Sequence, residues 1–243
     1  MSIPSLPRAI PELVLREAAG QRVEAVWTNG LGGTTWQIGE GEDRDFIKMG
    51  PEHPEFDITG EIQRLDWLAE FLPVPSLVSC GFDDDGVWIR TKGLPGSNAV
   101  APRNVTNAAP VVPALGRGLR RFHDALPVDE CPFDWSVESR SSLLRNPFEV
   151  SIPAPRAEHV VVCHGDACNP NFLIGDDGEV SGFVDLGRTG VADRHADLAP
   201  AVLSLGWNFG DGWTDAFLSA YCADGLTVDR DLLELYIRLW NAE

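Results

Sequence analysis

The stretch Val161–Ile174, VVCHGDACNPNFLI, sets a histidine, a glycine, an aspartate and two asparagines between two apolar runs. Asp166 and Asn171 share one short loop, and Asp185 follows in FVDLG. The segment between them turns at Asp176-Asp177-Gly178 and predicts a hairpin. A hairpin starts and finishes at the same end, so Asp185 is expected beside the loop. A carboxylate, an amide and a second carboxylate then converge. That oxygen set suits Mg²⁺, which prefers one or two carboxylates and completes its shell with substrate phosphates. Asn171 and Asp185 are the expected metal ligands. Asp166 is left to accept a hydroxyl proton and orient the attacking oxygen, as phosphoryl transfer requires.

Such chemistry also needs a cradle and a cation for the phosphates. Gly30, Gly32 and Gly33 form a strand-to-strand turn whose amides can approach phosphate without a Cβ in the way. The turn is not a Walker A loop, because no Gly-Lys-Ser/Thr follows and the next element reads as a strand. Lys48 lies on the third strand, and Glu61 in the following helix is on the face that can pair with it. Taken singly, a glycine-rich hairpin is usually only a hairpin and a Lys–Glu pair only surface charge. Five features in the right order carry the argument.

The elements that must position these residues are readable. RVEAVWTNGLGGTTWQIG alternates around a glycine-rich break and predicts two strands, and RDFIKMG predicts a third. Ile58, Ile62, Leu65, Leu68 and Leu72 recur at helical steps. PVPSLVSCGF and VWIRTKG predict a strand pair around Asp83-Asp84-Asp85-Gly86. LPGSNAVAPRN reads as a hinge. Beyond it, Leu115, Leu119, Phe122 and Leu126 mark one face of a helix, and residues 127–155 predict loop and short helix. Helical patterns return in RHADLAPAVLSLGW, GWTDAFLSAYCADG and RDLLELYIRLW.

The 243 residues carry 37 acids against 19 bases, a formal net charge of -18. So negative a chain excludes nucleic acid and anionic membrane surfaces as partners and suits a small cation. No signal peptide and no apolar run of membrane-spanning length is visible. Five scattered cysteines predict reduced thiols and a cytoplasmic protein.

HGDACNPN, GFVDLGRTGVADRHADLA, RRFHDALPVDECPFDW and RLDWLAEFLPVP resemble the aminoglycoside 3′-phosphotransferases, antibiotic kinases related to protein kinases. The resemblance covers nearly the whole chain and is most specific from His164 to Ala199. It implies that Asp166 is the catalytic aspartate, Asn171 and Asp185 the magnesium ligands, Lys48 the ATP-phosphate lysine and Glu61 its partner. It places adenine at the backbone of Thr91 to Leu94, including Gly93. It implies an α+β, two-lobed protein-kinase-like fold with ATP and Mg²⁺ in its cleft. The small, β-rich nucleotide lobe is expected at 1–94 and the larger, mainly helical catalytic and acceptor lobe at 95–243. ATP is the expected donor, with GTP as the other candidate. The acceptor is expected to be an aminoglycoside, at its 3′-hydroxyl, with a macrolide or an amino-alcohol metabolite as the alternative. A monomer or weak dimer is expected.

Asp166, Asn169, Asp193 and Glu243 are the expected acceptor contacts, with Asp193 and Asp197 open to a purely structural reading. Relatives end in an acidic run closed by an aromatic residue, whereas Trp240, Asn241 and Glu243 stand here. That departure bears on acceptor choice rather than on the kinase chemistry. His164 is expected to hold the loop rather than act as a base. His123 reads as a core histidine, and Arg188 as the partner of an acid near the loop. Cys163, His164 and Cys168 lack the second ligand pair of a zinc site. Two further classes are a nucleotide binder without transfer activity and a metal-dependent phosphohydrolase using His164 and Asp166. The intact Asp166, Asn171, Asp185 and Lys48 oppose the first. The second needs further His or Asp clusters, and His53, His123, His159 and His195 fall in no such pattern.

Overall fold

The computed structural model describes residues 9–30, 32–53, 56–83, 86–140 and 152–242. The chain divides into two compact units: Met1–Ala69 with Val74–Pro95, and Glu70–Pro73 with Gly96–Glu243.

The first unit is built on β1 (Val23–Thr28), β2 (Thr34–Ile38), β3 (Asp45–Gly50), β4 (Leu77–Asp83) and β5 (Gly86–Lys92). They form one antiparallel sheet in the order β1-β2-β3-β5-β4. A helix that the strand-and-turn reading does not anticipate, α1 (Glu12–Ala18), covers one face. Its Leu13, Val14 and Ala18 cluster with Trp36, Ile38, Ile47, Met49 and Trp88. Full burial of such larger side chains stabilises by about 1.5–3 kcal/mol each. Strand side chains alternate, so Ile47 and Met49 enter that cluster while Lys48 faces the other way. Helix α2 (Ile58–Leu68) starts at Asp57, whose Oδ1 accepts from the Gly60 amide at 2.9 Å. Leu65 and Leu68 are buried, as their spacing predicts, and so is Glu61.

The second unit holds β6 (Ser97–Asn98), α3 (Pro102–Val105), α4 (Ala108–Ala125), β7 (Val160–Cys163), β8 (Phe172–Ile174), β9 (Val180–Phe183), β10 (Gly190–Asp193), α5 (His195–Phe209), α6 (Thr214–Tyr221) and α7 (Arg230–Ala242). The expected apolar face of α4 is in the core, with Leu115, Leu119 and Phe122 fully buried. A Cβ at Gly116 would stand 2.3 Å from the Phe217 carbonyl, so α4 and α6 approach backbone to backbone. Strands β8 and β9 make the predicted hairpin, closed by Gly175 and Glu179, and β6 extends it. A second ladder, unanticipated from sequence, pairs β7 with β10 antiparallel, setting Cys163 opposite Gly190 and Val160 opposite Asp193. Among the described residues, no helix is long and apolar enough to cross a membrane.

Candidate active site

The loop after β7 is held from behind by α5. The Asp197 carboxylate accepts from the His164 amide at 2.6 Å and from the Gly165 amide at 2.9 Å. Oδ2 of Asp197 also meets Nε2 of His123 at 3.0 Å, and Nδ1 of His123 meets the Tyr221 hydroxyl at 2.7 Å. Burial pushes the Asp197 pKa up, but His123 and the loop amides outweigh it and hold the carboxyl below its ordinary range. Farther along, the Asn169 amide donates to Ser204 Oγ at 2.9 Å and the Asn98 side chain to the Pro170 carbonyl at 2.7 Å.

Gly165 is required at its position. Its φ is +85°, and a Cβ there would lie 2.1 Å from the Arg188 carbonyl oxygen. His164 is fully buried among Phe122, Phe172 and Phe183, lying nearly parallel to Phe172. Its Nδ1 accepts from the Asp166 amide at 3.3 Å. A nitrogen that accepts there and a ring inside an aromatic cage make a loop support, not a base.

Asp166 is half-buried and its Oδ1 has no hydrogen-bond partner. Burial, then the Asp185 carboxylate, raise its pKa, while the Cys168 thiol, His164 and Arg188 pull it back. Asn171 donates from Nδ2 to the Asp166 carbonyl at 2.8 Å, which leaves the amide oxygen as the ligand atom its side chain can offer. Asp185 lies exposed beyond β9 with φ +61°, an unusual conformation for a residue with a Cβ. Two repelling carboxylates, an orphaned carboxylate oxygen and an amide oxygen make a donor set that fits a hard divalent cation. Asn171 and Asp185 would hold it.

In the first unit, Lys48 Nζ lies 2.9 Å from Glu61 Oε2, with both side chains largely buried, and stands 5.5 Å from the Phe56 ring centroid. The expected pair is therefore formed.

The phosphotransferase enzyme family profile matches residues 148–236. An aminoglycoside 3′-phosphotransferase from Streptomyces fradiae is 34% identical over 226 residues, covering 79% of this chain and 82% of that one. Its counterpart from Streptomyces ribosidificus is 33% identical over 79% of this chain and 84% of its own length. The chain belongs to the aminoglycoside 3′-phosphotransferase family. The crystal structure of an aminoglycoside 3′-phosphotransferase of type VIII superposes with a TM-score of 0.75 at 29% identity, covering 92% and 94% of the two chains. The fold is therefore the two-lobed α+β fold of the protein-kinase-like antibiotic kinases.

Other expected site residues of this phosphotransferase land less simply. Gly32 takes φ +89°, but its amide points to the Asn29 carbonyl at 3.4 Å, and the Gly33 amide donates to Asn29 Oδ1 at 2.7 Å. The loop containing Gly30 is thus closed on itself, with two amides already used. Thr91 is a rung of the ladder opposite Phe46 and Leu77. The Gly93 amide donates to the Arg44 carbonyl at 2.8 Å, and the Leu94 carbonyl accepts from the Arg44 side chain at 2.6 Å. Arg44, absent from the sequence reading, therefore governs the segment expected at adenine.

Two acceptor assignments are corrected. Asn169 is fully buried, its side chain donating to the Ala201 carbonyl. Asp193 is 2% exposed and takes both the amide and Nδ1 of His195. Both brace the second unit from inside, and neither offers a surface to a soluble acceptor. Glu243 lies outside the described residues. Arg188 lies over Trp135, 5.6 Å from the ring centroid, and its charge opposes the rise of the Asp166 pKa.

Proposed function

We propose that the chain moves the γ-phosphate of ATP, taken as its Mg²⁺ complex, to a hydroxyl of an aminoglycoside, the 3′-hydroxyl by family. The observation that carries this reading is the Asp166 carboxylate, unsatisfied at Oδ1 and set beside Asp185 and Asn171 on a loop clamped by Asp197. In this reading residues 1–94 serve the nucleotide. Lys48, oriented by Glu61, binds the phosphates, the 30–33 turn covers them, and the strand end at Thr91 to Leu94 meets adenine. Residues 95–243 supply Asn171 and Asp185 to the ion and Asp166 to the acceptor hydroxyl. Mg²⁺ would neutralise charge on the phosphoryl group in transit. Asp166 takes or orients the hydroxyl proton, and a pKa raised by burial and by Asp185 suits a base that must gain a proton. The surplus of acids supports a polycationic acceptor, drawn by a field that salt screens over about 8 Å at physiological ionic strength. ATP as donor and five free cysteines support a cytoplasmic place of action.

The deciding experiment is coupled ADP release with Mg-ATP and Mg-GTP against a panel of aminoglycosides, macrolides and amino alcohols. Turnover on aminoglycosides with phosphate mapped to the 3′-oxygen is the expected result. Turnover confined to macrolides or amino alcohols would replace the acceptor, and ADP release on none of them would sink the transfer reading.

A further inference from the structure

The β7–β10 ladder joins two histidines that fall in no pattern along the sequence. His159 precedes β7, Asp193 closes β10 opposite Val160, and His195 opens α5 two residues later. Nδ1 of His195 lies 2.6 Å from Asp193 Oδ1, and Nδ1 of His159 lies 3.5 Å from Asp193 Oδ2. One ligand atom from each of the three residues falls within 4.8 Å of the other two. The imidazoles meet edge-on at 5.4 Å, and Tyr236 stacks on His195.

This cluster is unfinished as a hydrogen-bond network. The 3.5 Å contact is too long for a good hydrogen bond. Nδ1 of His159 has no hydrogen-bond partner, although it is buried. Buried polar atoms are seldom left so. The trio of His123, Cys163 and Asp197 converges as closely. There, however, both His123 nitrogens and both Asp197 oxygens are already partnered, by Tyr221, by one another and by the loop amides. His159 differs again in lining a cavity of about 250 Å³ with Arg156, Asp229, Asp231, Leu232 and Leu235. Such a space holds several waters at about 30 Å³ each.

We infer that His159, Asp193 and His195 form a site for a zinc-type divalent transition metal, with water as the fourth ligand. Two imidazoles and one carboxylate are a nitrogen-rich set that Zn²⁺ accepts and Mg²⁺ does not favour. Zn²⁺ joins three protein ligands to a water tetrahedrally, at about 2.0–2.2 Å. The His195 amide, 2.9 Å from Asp193 Oδ1, orients the carboxylate from outside the coordination sphere. Binding displaces the proton shared by His195 and Asp193. The ion would pin the β7–β10 ladder to the start of α5, the helix whose Asp197 holds the catalytic loop.

The test uses the full chain, stripped of metal and then kept in excess Mg²⁺ so that Asn171 and Asp185 are saturated. Calorimetry with Zn²⁺ should show one tight ion. Co²⁺ should give the spectrum of imidazole and carboxylate ligands with no thiolate charge-transfer band, and Zn²⁺ should raise the thermal midpoint. His159→Gln, at the cavity edge, should weaken binding on the order of 100-fold or more. Asp193→Asn should do the same, and Cys163→Ser should change nothing. Absence of a tight ion, a thiolate band, or unchanged affinity in a natively folded His159→Gln protein would each overturn the site. Should Asp193→Asn fail to fold, His159→Gln decides alone.

Discussion

The backbone amide of Gly165 donates to Oδ1 of Asp197 at 2.9 Å across 32 residues of sequence. With the His164 amide on the other oxygen, this ties the shape of the Asp166 loop to α5. Asp197→Ala strands both amides and Nε2 of His123. Each buried unsatisfied group costs about 1–3 kcal/mol, so denaturant unfolding should report a loss of several kcal/mol, and turnover should fall with it. The Asp197 carboxyl is held below its ordinary value, first burial opposing and then His123 and the amides prevailing. A lowered folded pKa adds stability above the unfolded value of about 3.9 and surrenders it as pH falls through the folded one. Wild-type stability should therefore drop steeply below about pH 4, and less steeply in Asp197→Asn.

Asp166 behaves in the opposite sense. Burial and Asp185 raise its pKa, so ionising it in the folded state costs stability that the unfolded chain does not lose. Asp166→Asn should cut kcat by about 10²–10⁴, leave nucleotide binding in place, and raise the thermal midpoint at neutral pH. The acid limb of wild-type kcat/KM should lie above the ordinary carboxylate range, because activity needs the ionised form. A variant that turns over normally would remove Asp166 from the chemistry, and one that melts earlier would contradict the electrostatics.

Gly165 combines a left-handed backbone with a carbonyl 2.1 Å from any added Cβ, whereas Gly178 has a similar φ of +81° and nothing within 4 Å. Gly178→Ala should therefore show conformational strain alone, about 1–2 kcal/mol. Gly165→Ala should cost clearly more and also lower kcat, since Arg188 or the loop must shift. Thermal unfolding of the two variants side by side isolates the contact, and equal losses would mean that the carbonyl yields easily.

Glu61 fixes the Lys48 ammonium at 2.9 Å in a largely buried setting. Glu61→Gln keeps the shape and removes the charge. In the proposed reading ATP KM should rise roughly 10-fold, equivalent to about 1.4 kcal/mol, while acceptor KM stays. Steady-state kinetics with each substrate varied in turn separates these outcomes. Equal rises in both would assign the pair to general stability.

The residues proposed for the site were legible as candidates because their signals are local. His164-Gly165-Asp166, Asn171 and the hairpin to Asp185 sit within one short stretch, and the helical spacing of α2 and α4 is carried by their own apolar residues. What was hidden depends on distant partners. Helix α1 has seven residues and no side-chain cap, so its signal lies in Leu13 and Val14 meeting Trp36 and Ile47. Asp193 looks like any polar residue near the site until β10 pairs with β7 and buries it. Arg44 reads as a surface base, yet its guanidinium and carbonyl occupy the strand end at Gly93 and Leu94. Burial of a polar side chain is decided by tertiary packing, which no local pattern encodes.

The supports that α5 gives the Asp166 loop come later in the chain than the loop itself. Asp197, Ala201 and Ser204 lie 32–35 residues beyond the groups they hold. Contacts so distant in sequence must wait for loop closure, and they form late compared with helices and hairpins. During synthesis, then, Asp166 joins the chain before the α5 residues that hold its loop. The loop can take its native shape only once α5 has docked against it.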